Sequence, residues 1–334
     1  MIKRFLKYHP VHKKLVPNLD IVFLLRPTFF FSVWVMVVIG MSSAQMYLVD
    51  YPLWITEVSW RTFLAFLGLT FVCSSTFILN QIPDEKNDVA NKKLFIIGKH
   101  ISSEKSQSIA NFLLFSGLVI SLVANWFTAI LVGCIYLVWG IIYGQKPLNW
   151  KKKPVLGWLA HSIVGGLLFA VGWFLVMKSQ LNNGIISLDI SLFEYMIPYL
   201  LCFSSVALLT TLPDMQGDSA SGNRIFPVIF GKISTLILSL IFICVAFVVA
   251  LQQGDPLAST AILVSIPFFV FTVIRRLKKD VLRNIRYPIF ILNFFTLSIY
   301  PWLFVPLIIT FYLSKYYYWH RFDIHYPTFL VDHD

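Results

Sequence analysis

Two acidic stretches carry the residues of this chain best suited to chemistry. The first, "ILNQIPDEKNDVANKK" (residues 78–93), sets Asn80, Asp84 and Asp88 four residues apart. The second, "LTTLPDMQGDSASGNR" (residues 209–224), sets Asp214 and Asp218 at the same spacing. A proline precedes the first acid in each, so that Ile82-Pro83-Asp84-x-x-x-Asp88 matches Leu212-Pro213-Asp214-x-x-x-Asp218. Residues four apart on a helix share a face, about 6 Å apart along the axis. The spacing therefore predicts two polar stripes, on helices bent at Pro83 and Pro213. Four carboxylates around one cavity repel one another unless a cation sits between them. All-oxygen ligands favour Mg²⁺, which keeps several waters and prefers one or two carboxylates together with phosphate oxygens. A diphosphate bridged through Mg²⁺ satisfies acids and metal together. The plainer reading, two solvated loops whose acids cap helices or balance lysines, does not explain why proline and spacing recur together.

Apolar helices must position these stripes. The chain has 334 residues, 57% hydrophobic and 13% charged, with a mean hydropathy of +0.75, too greasy for a soluble domain of this length. About nine apolar stretches are long enough to cross the bilayer: 21–41, 60–79, 108–123, 127–143, 156–177, 192–212, 233–251, 258–274 and 289–314. Pro301 and Pro306 kink or divide the last. The expected fold is all-α: a polytopic membrane helical bundle of about nine transmembrane helices, with an internal repeat of two aspartate-rich halves. One domain over residues 1–334 is expected, opening with a basic cytoplasmic segment (1–20) and closing with a polar, aromatic tail (315–334). The first apolar run lacks a small-residue cleavage site and is expected to remain as a span.

Charge gives the orientation. With a cytoplasmic N-terminus, roughly 23 of the 27 lysines and arginines fall on the inner side, the asymmetry expected of a cytoplasmic (inner) membrane protein whose aspartate-rich loops face the cytoplasm. The net charge of +11 then marks topology and contact with an anionic lipid bilayer, and no nucleic-acid partner is expected. "RRLKKDVLRNIR" (residues 275–286) reads as an amphipathic connector on that surface. Cys73, Cys134, Cys202 and Cys244 fall inside spans without a CxxC pattern and read as small buried hydrophobes.

At these residues the chain resembles the UbiA-type intramembrane prenyltransferases. The resemblance rests on Asn80, Asp84 and Asp88, and on Asp214 and Asp218 followed by Gly222, Arg224, Pro227 and Gly231. It rests also on "YGQKPLNWKKKPVLGWLAHSIVGG", from Tyr143 through Lys153-Pro154 and Gly157, and on Arg26-Pro27 entering the first span. It implies a transferase that moves an isoprenoid from an allylic prenyl diphosphate to a lipophilic acceptor, either an aromatic quinone precursor or a glycerol-phosphate lipid. In that mechanism Asp84, Asp88, Asp214 and Asp218 are catalytic and hold two Mg²⁺ ions. Asn80, Lys92, Lys146, Lys153, Arg224 and, by motif position, Tyr143 contact the diphosphate, with Lys93 and Arg26 as weaker candidates. The chain departs from the family pattern at Lys92-Lys93-Leu94-Phe95, at Thr210-Thr211 and at His161, a base or an acceptor contact where asparagine is frequent.

Two other activities fit the same residues. A related membrane terpene cyclase would quench the carbocation within its own chain. A cation transporter would use the paired aspartates as ion ligands, although these acids stand at the cytoplasmic ends of spans, beside lysines that suit an anion.

Overall fold

The computed structural model describes residues 9–49, 58–83, 96–180 and 190–328. In chain order the helices are α1 (Pro10–Leu24), α2 (Phe30–Val49), α3 (Trp60–Gln81), α4 (Ser103–Ala124) and α5 (Trp126–Tyr136), which continues through a wide turn at Leu137–Ile142. There follow α6 (Pro154–Gln180), α7 (Ile190–Thr210), α8 (Met215–Ala220), α9 (Phe226–Phe230), α10 (Lys232–Gln252), α11 (Pro256–Arg275), α12 (Lys278–Ile299) and α13 (Phe304–Phe322). Among the described residues, seven helices are long and apolar enough to cross a membrane, and α5 with its wide turn is a shorter apolar helix. The chain is thus an all-α, multi-pass membrane protein.

Capping follows local chemistry. Ser59 accepts from the Thr62 amide at the start of α3, Ser102 from Lys105 at α4, and Asn125 from Phe127 at α5. Most large helices pack against their neighbours in sequence, and α2 sits inside the bundle against α6, α7 and α12. Lipid supplies no hydrophobic drive between helices, so close approach decides these contacts. Gly40 and Gly172 provide it between α2 and α6: a Cβ on either would run into the carbonyl of Phe169 or Val37. Between α3 and α4, a Cβ on Gly68 would lie 2.8 Å from the Gly117 carbonyl oxygen. Polar clasps add direction. Ser205 and Ser239 donate to each other's carbonyls at 2.8 Å across α7 and α10, and Asn284 of α12 donates to Thr272 of α11 at 2.7 Å.

Three expectations change, and of the two outcomes open at Pro301 one is realised. The first span does not begin at Ile21: α1 ends at Leu24 and Arg26 turns left-handed (φ 53°), so residues 21–24 belong to a preceding helix. The last apolar stretch is divided at Pro301–Leu303, where Pro301 cannot continue α12. The basic stretch 275–286 is no separate connector. Arg275 closes α11, Arg276 turns at φ 54°, and the remainder opens α12. Finally, α7 does not bend through Pro213 but ends at Thr210, and α8 starts afresh at Met215.

The terminal helices close against each other. Phe23 stacks on Tyr317 at 3.9 Å. Buried Asp20 accepts from the Tyr317 hydroxyl and from the Arg321 guanidinium, both at 2.6 Å. A buried acid with two donors on one helix face fixes the register of α13 on α1.

Candidate active site

The helix ends carrying the two acidic stretches lie at one end of the bundle, where a cavity of about 470 Å³ opens. Its polar mouth is lined by Asn80, Asp214, Asp218, Arg26, Lys151 and Lys153. Its apolar depth is walled by Val35 and Met36 of α2, Phe203 and Val206 of α7, and Ala261 and Ile262 of α11. This is the amphipathic shape that a ligand with a charged head and an oily tail requires.

Local chain chemistry builds the mouth. Asn80 stands in the last turn of α3, where its amide donates to the Trp139 carbonyl at 3.4 Å and Gly144 leaves room for its side-chain oxygen. The next residue, Gln81, donates to the Leu24 carbonyl at 3.2 Å. That bond ties the end of α3 to the turn presenting Arg26, whose guanidinium lies 5.3 Å from the Phe29 ring centre. The left-handed backbone at Arg26 is uncommon outside glycine and asparagine, and it aims the side chain at the cavity.

On the opposite wall, Thr210 and Thr211 bond back to the carbonyls of Ala207 and Leu208, tightening the end of α7. After Pro213 the chain restarts as α8. Asp214 occupies its N-cap position and Asp218 its first turn, with the Asp218 amide donating to the Asp214 carbonyl at 2.9 Å. One helical turn therefore separates the two carboxylates. Asn223, after the φ +72° turn at Gly222, folds back so that its amide nitrogen donates to Asp218 Oδ1 at 2.9 Å.

The loop after α5 brings the lysines. The Lys151 backbone N–H donates to the Tyr143 carbonyl at 3.0 Å, closing the loop so that Tyr143, Lys151 and Lys153 all reach the cavity. Deeper in, Trp139 Nε1 donates to His161 Nδ1 at 3.1 Å, and the Tyr143 ring lies edge-on to His161 at 4.8 Å. A neutral imidazole that accepts at Nδ1 carries its proton at Nε2. His161 therefore offers the cavity a donor, and its basic nitrogen is engaged by Trp139.

Of the expected site residues, Asn80, Tyr143, Lys153, Asp214 and Asp218 converge on the cavity. Lys146 and Arg224 are exposed, outside its lining. Asp84, Asp88 and Lys92, with Lys93, lie outside the described residues. Asn223 and Lys151 line the cavity without having been singled out. Nothing in their spacing marks them; an asparagine five residues beyond an acid after a glycine is only a weak signal.

The donor set fits a hard divalent cation. Asp214 and Asp218 supply carboxylate oxygens. The Asn223 Oδ1 beside them is buried and accepts no hydrogen bond within the protein. An orphaned buried acceptor is costly, and a hydrated cation at Asp218 would satisfy it. Among the described residues no group of three or more His, Cys, Asp or Glu could hold a metal, so the pair at 214 and 218 would need further oxygens.

Comparison with known proteins shows the family and the fold. The model of the UbiA prenyltransferase family matches residues 33–296. The chain is 27% identical over 190 residues to digeranylgeranylglyceryl phosphate synthase from Methanobrevibacter smithii, and 28% identical over 172 residues to a probable chloroplastic homogentisate phytyltransferase 2 from Oryza sativa. The matched stretches cover 54% and 48% of this chain, and 62% and 43% of those relatives. Among solved structures, a UbiA homolog from Archaeoglobus fulgidus bound to GPP and Mg²⁺ superposes with a TM-score of 0.60 at 16% identity. That match covers 84% of this chain and 98% of the other. A UbiA homolog from Aeropyrum pernix K1 gives 0.56 at 14% identity, over 84% and 96%. These superpositions show a shared fold.

Proposed function

This chain belongs to the UbiA prenyltransferase family, and on that premise we propose that it transfers an isoprenoid from an allylic prenyl diphosphate to a lipophilic acceptor. One observation carries the reading: a single cavity joins a mouth bearing Asp214, Asp218, Asn80 and three cationic side chains to an apolar depth inside a membrane bundle. The A. fulgidus homolog bound to GPP and Mg²⁺ supports it by analogy.

Asp214 and Asp218, with Asp84 and Asp88 from the other acidic stretch, would hold two Mg²⁺ ions, with Asn223 orienting Asp218 through its amide. Bound with the substrate diphosphate, Mg²⁺ supplies Lewis-acid stabilisation of the charge growing on the leaving oxygen. Arg26, Lys151 and Lys153 neutralise the remaining diphosphate charge, and Asn80 and Tyr143 orient it. Lys146 and Arg224, exposed outside the lining, act as longer-range cations, and Lys92 is assigned to the same set by its motif position alone.

As the allylic C–O bond breaks, its electron pair leaves with the diphosphate. An electron-rich carbon or oxygen of the acceptor forms the new bond to the allylic carbon and gives up its proton. The apolar walls keep water from the cation, and Trp139 and Tyr143, which line the cavity, supply aromatic surface to stabilise it. His161, protonated at Nε2, donates a hydrogen bond to an oxygen of the bound substrates. Both acceptor classes named among the relatives, a glyceryl phosphate and an aromatic homogentisate, have a nucleophilic oxygen or carbon. The lysine-rich mouth faces the cytoplasm on the charge asymmetry of the loops.

The test incubates purified protein with Mg²⁺, labelled prenyl diphosphates and a host lipid extract, with product identification by mass spectrometry. A prenylated acceptor dependent on Asp214 and Asp218 is expected. A cyclic product from the donor alone would convert the reading to a cyclase, and no prenyl product at all would overturn it.

A further inference from the structure

The cavity runs deepest along two helices, and its lining there is periodic. On α7 it takes Tyr199, Cys202, Phe203, Val206, Ala207 and Thr210, an unbroken stripe at helical spacing. On α11 it takes Ala258, Ala261, Ile262 and Ser265, a second stripe whose members toward the far end are alanines. From Thr210 back to Tyr199 the axial distance is about 16 Å at 1.5 Å per residue. The limb between α7 and α11 is thus a narrow apolar slot that ends at Tyr199 and the first turn of α11.

Something unusual holds that end. Tyr199 is 2% exposed, and its hydroxyl donates to Asp255 Oδ2 at 2.7 Å. Asp255 is itself 2% exposed, and its other oxygen caps α11 by accepting from the amides of Leu257 and Ala258 at 3.0 Å each. A buried carboxylate beside lipid-spanning helices is expensive and marks function more often than chance. Capping alone needs only a serine or asparagine. What the acid adds is a strong, charge-assisted grip on a phenol that would otherwise swing about χ1. Phe169, fully buried with its ring 6.0 Å from Tyr199, backs the ring.

We propose that Tyr199, held by Asp255, is the end wall of the slot and sets the longest isoprenoid tail the protein accepts. Ala258 and Ala261 leave the width through which the tail passes. This assignment rests on the prenyl-diphosphate reading of the mouth and adds a specificity-determining residue about 16 Å from it. Asp255 is a positioning residue acting through Tyr199.

The experiment compares geranyl, farnesyl, geranylgeranyl and longer allylic diphosphates on the full-length protein in detergent. It measures kcat/KM in competition and, separately, Mg²⁺-dependent protection from thermal unfolding. Tyr199→Ala is expected to improve the first donor beyond the wild-type limit by about 10–200-fold, the range by which an apolar pocket discriminates a mismatched tail. Ala261→Leu is expected to cut the longest accepted donor by a similar factor while sparing shorter ones. Tyr199→Phe, which keeps the ring and loses the grip of Asp255, is expected to blur the cut-off several-fold. Thermal unfolding without ligand shows that the variants fold. An unchanged length preference in folded Tyr199→Ala and Ala261→Leu, with an active wild type, overturns this inference and leaves the proposed function standing. Failure of the wild type to bind or convert any member of the series overturns both.

Discussion

Replacing Asn223 with alanine isolates one side chain's support of one carboxylate. Asn223 is 4% exposed and donates to Asp218 Oδ1 at 2.9 Å. The turn that presents it does not depend on the side chain: the Asn223 backbone N–H donates to the Asp218 carbonyl at 2.9 Å, and Gly222 N–H to the Ser219 carbonyl at 3.1 Å. The substitution therefore removes a hydrogen bond to a charged group while leaving the loop. Such a bond is worth about 1.5–3 kcal/mol, which converts to about 12- to 150-fold in an equilibrium constant. Loss of a side chain that orients a metal ligand costs about 10–100-fold in metal affinity or activity. The two ranges overlap, so Asn223→Ala should weaken the apparent Mg²⁺ affinity by about 10–100-fold and also bring the thermal transition earlier, because the bond is made within the protein itself. The assay is a Mg²⁺ titration of prenyl-diphosphate turnover, paired with Mg²⁺-dependent thermal protection in the presence of the diphosphate. A folded Asn223→Ala protein whose Mg²⁺ dependence stays within about twofold of wild type would refute the assignment of Asp218 and Asn223 to the metal mouth, since less than 0.5 kcal/mol would then pass between them.

Other consequences are open to measurement. Tyr317→Phe removes the 2.6 Å bond to buried Asp20 and should lower stability by about 1.5–3 kcal/mol, read as an earlier thermal transition in detergent. Gly172→Leu drives a side chain into the Val37 carbonyl and should abolish a monodisperse peak in gel filtration, whereas Gly133→Ala, with open space around its Cβ, should behave as wild type. Lys153→Ala should raise KM for the diphosphate donor by about fivefold, as expected for loss of about 1 kcal/mol from a partly exposed charge pair, and the defect should shrink at high salt. His100, in the turn before α4, has its pKa lowered first by burial and then by Arg321 and Lys99, against an opposing pull from Asp20. Its neutral form is thus favoured by the folded state. The stability it contributes is complete above its unfolded pKa near 6.5 and is lost as pH falls through the lower, folded value. Acidification from pH 7 to 5 should destabilise the wild type more than His100→Gln, by a small margin, in thermal unfolding followed across pH.

Part of the candidate site was legible in the sequence because spacing along one helix is rigid. Asp214 and Asp218 lie one helical turn apart on α8, as their four-residue separation required. Asn80 was legible for a similar reason, since α3 runs unbroken to Gln81. Residues carried by turns were less so. Arg26 was named only as a weaker candidate through the Arg26-Pro27 pair, because it reaches the cavity through a left-handed backbone at φ 53° and the Gln81 tie to Leu24, and neither is encoded by a local pattern. Lys151 lines the cavity while Lys146, five residues earlier, stays exposed, and the bond from Lys151 N–H to the Tyr143 carbonyl decides between them. Hydropathy located the apolar stretches but not their breaks. Residues 21–24 are apolar enough to extend the first span, yet they belong to α1, whose Asp20 and Phe23 engage Tyr317 some 300 positions away. The slot between α7 and α11 depends on the relative rotation of two helices, which a one-dimensional period does not hold. Its small residues, Ala258 and Ala261, read as ordinary membrane-helix packing until Tyr199 is seen across from them.

In the proposed mechanism both acidic stretches grip the same metal-bound diphosphate at one mouth. An experimental structure of the protein with Mn²⁺ in place of Mg²⁺ and a non-hydrolysable thiolodiphosphate analogue of the donor tests this directly, because anomalous scattering locates the ions independently of any assumption about ligands. The expected result is density for metal within coordination distance of Asp84 or Asp88 on one side and of Asp214 or Asp218 on the other, with the analogue's diphosphate bridging. Metal bound away from these carboxylates, or Asp84 and Asp88 turned toward lipid or bulk water while the analogue occupies the cavity, would contradict it.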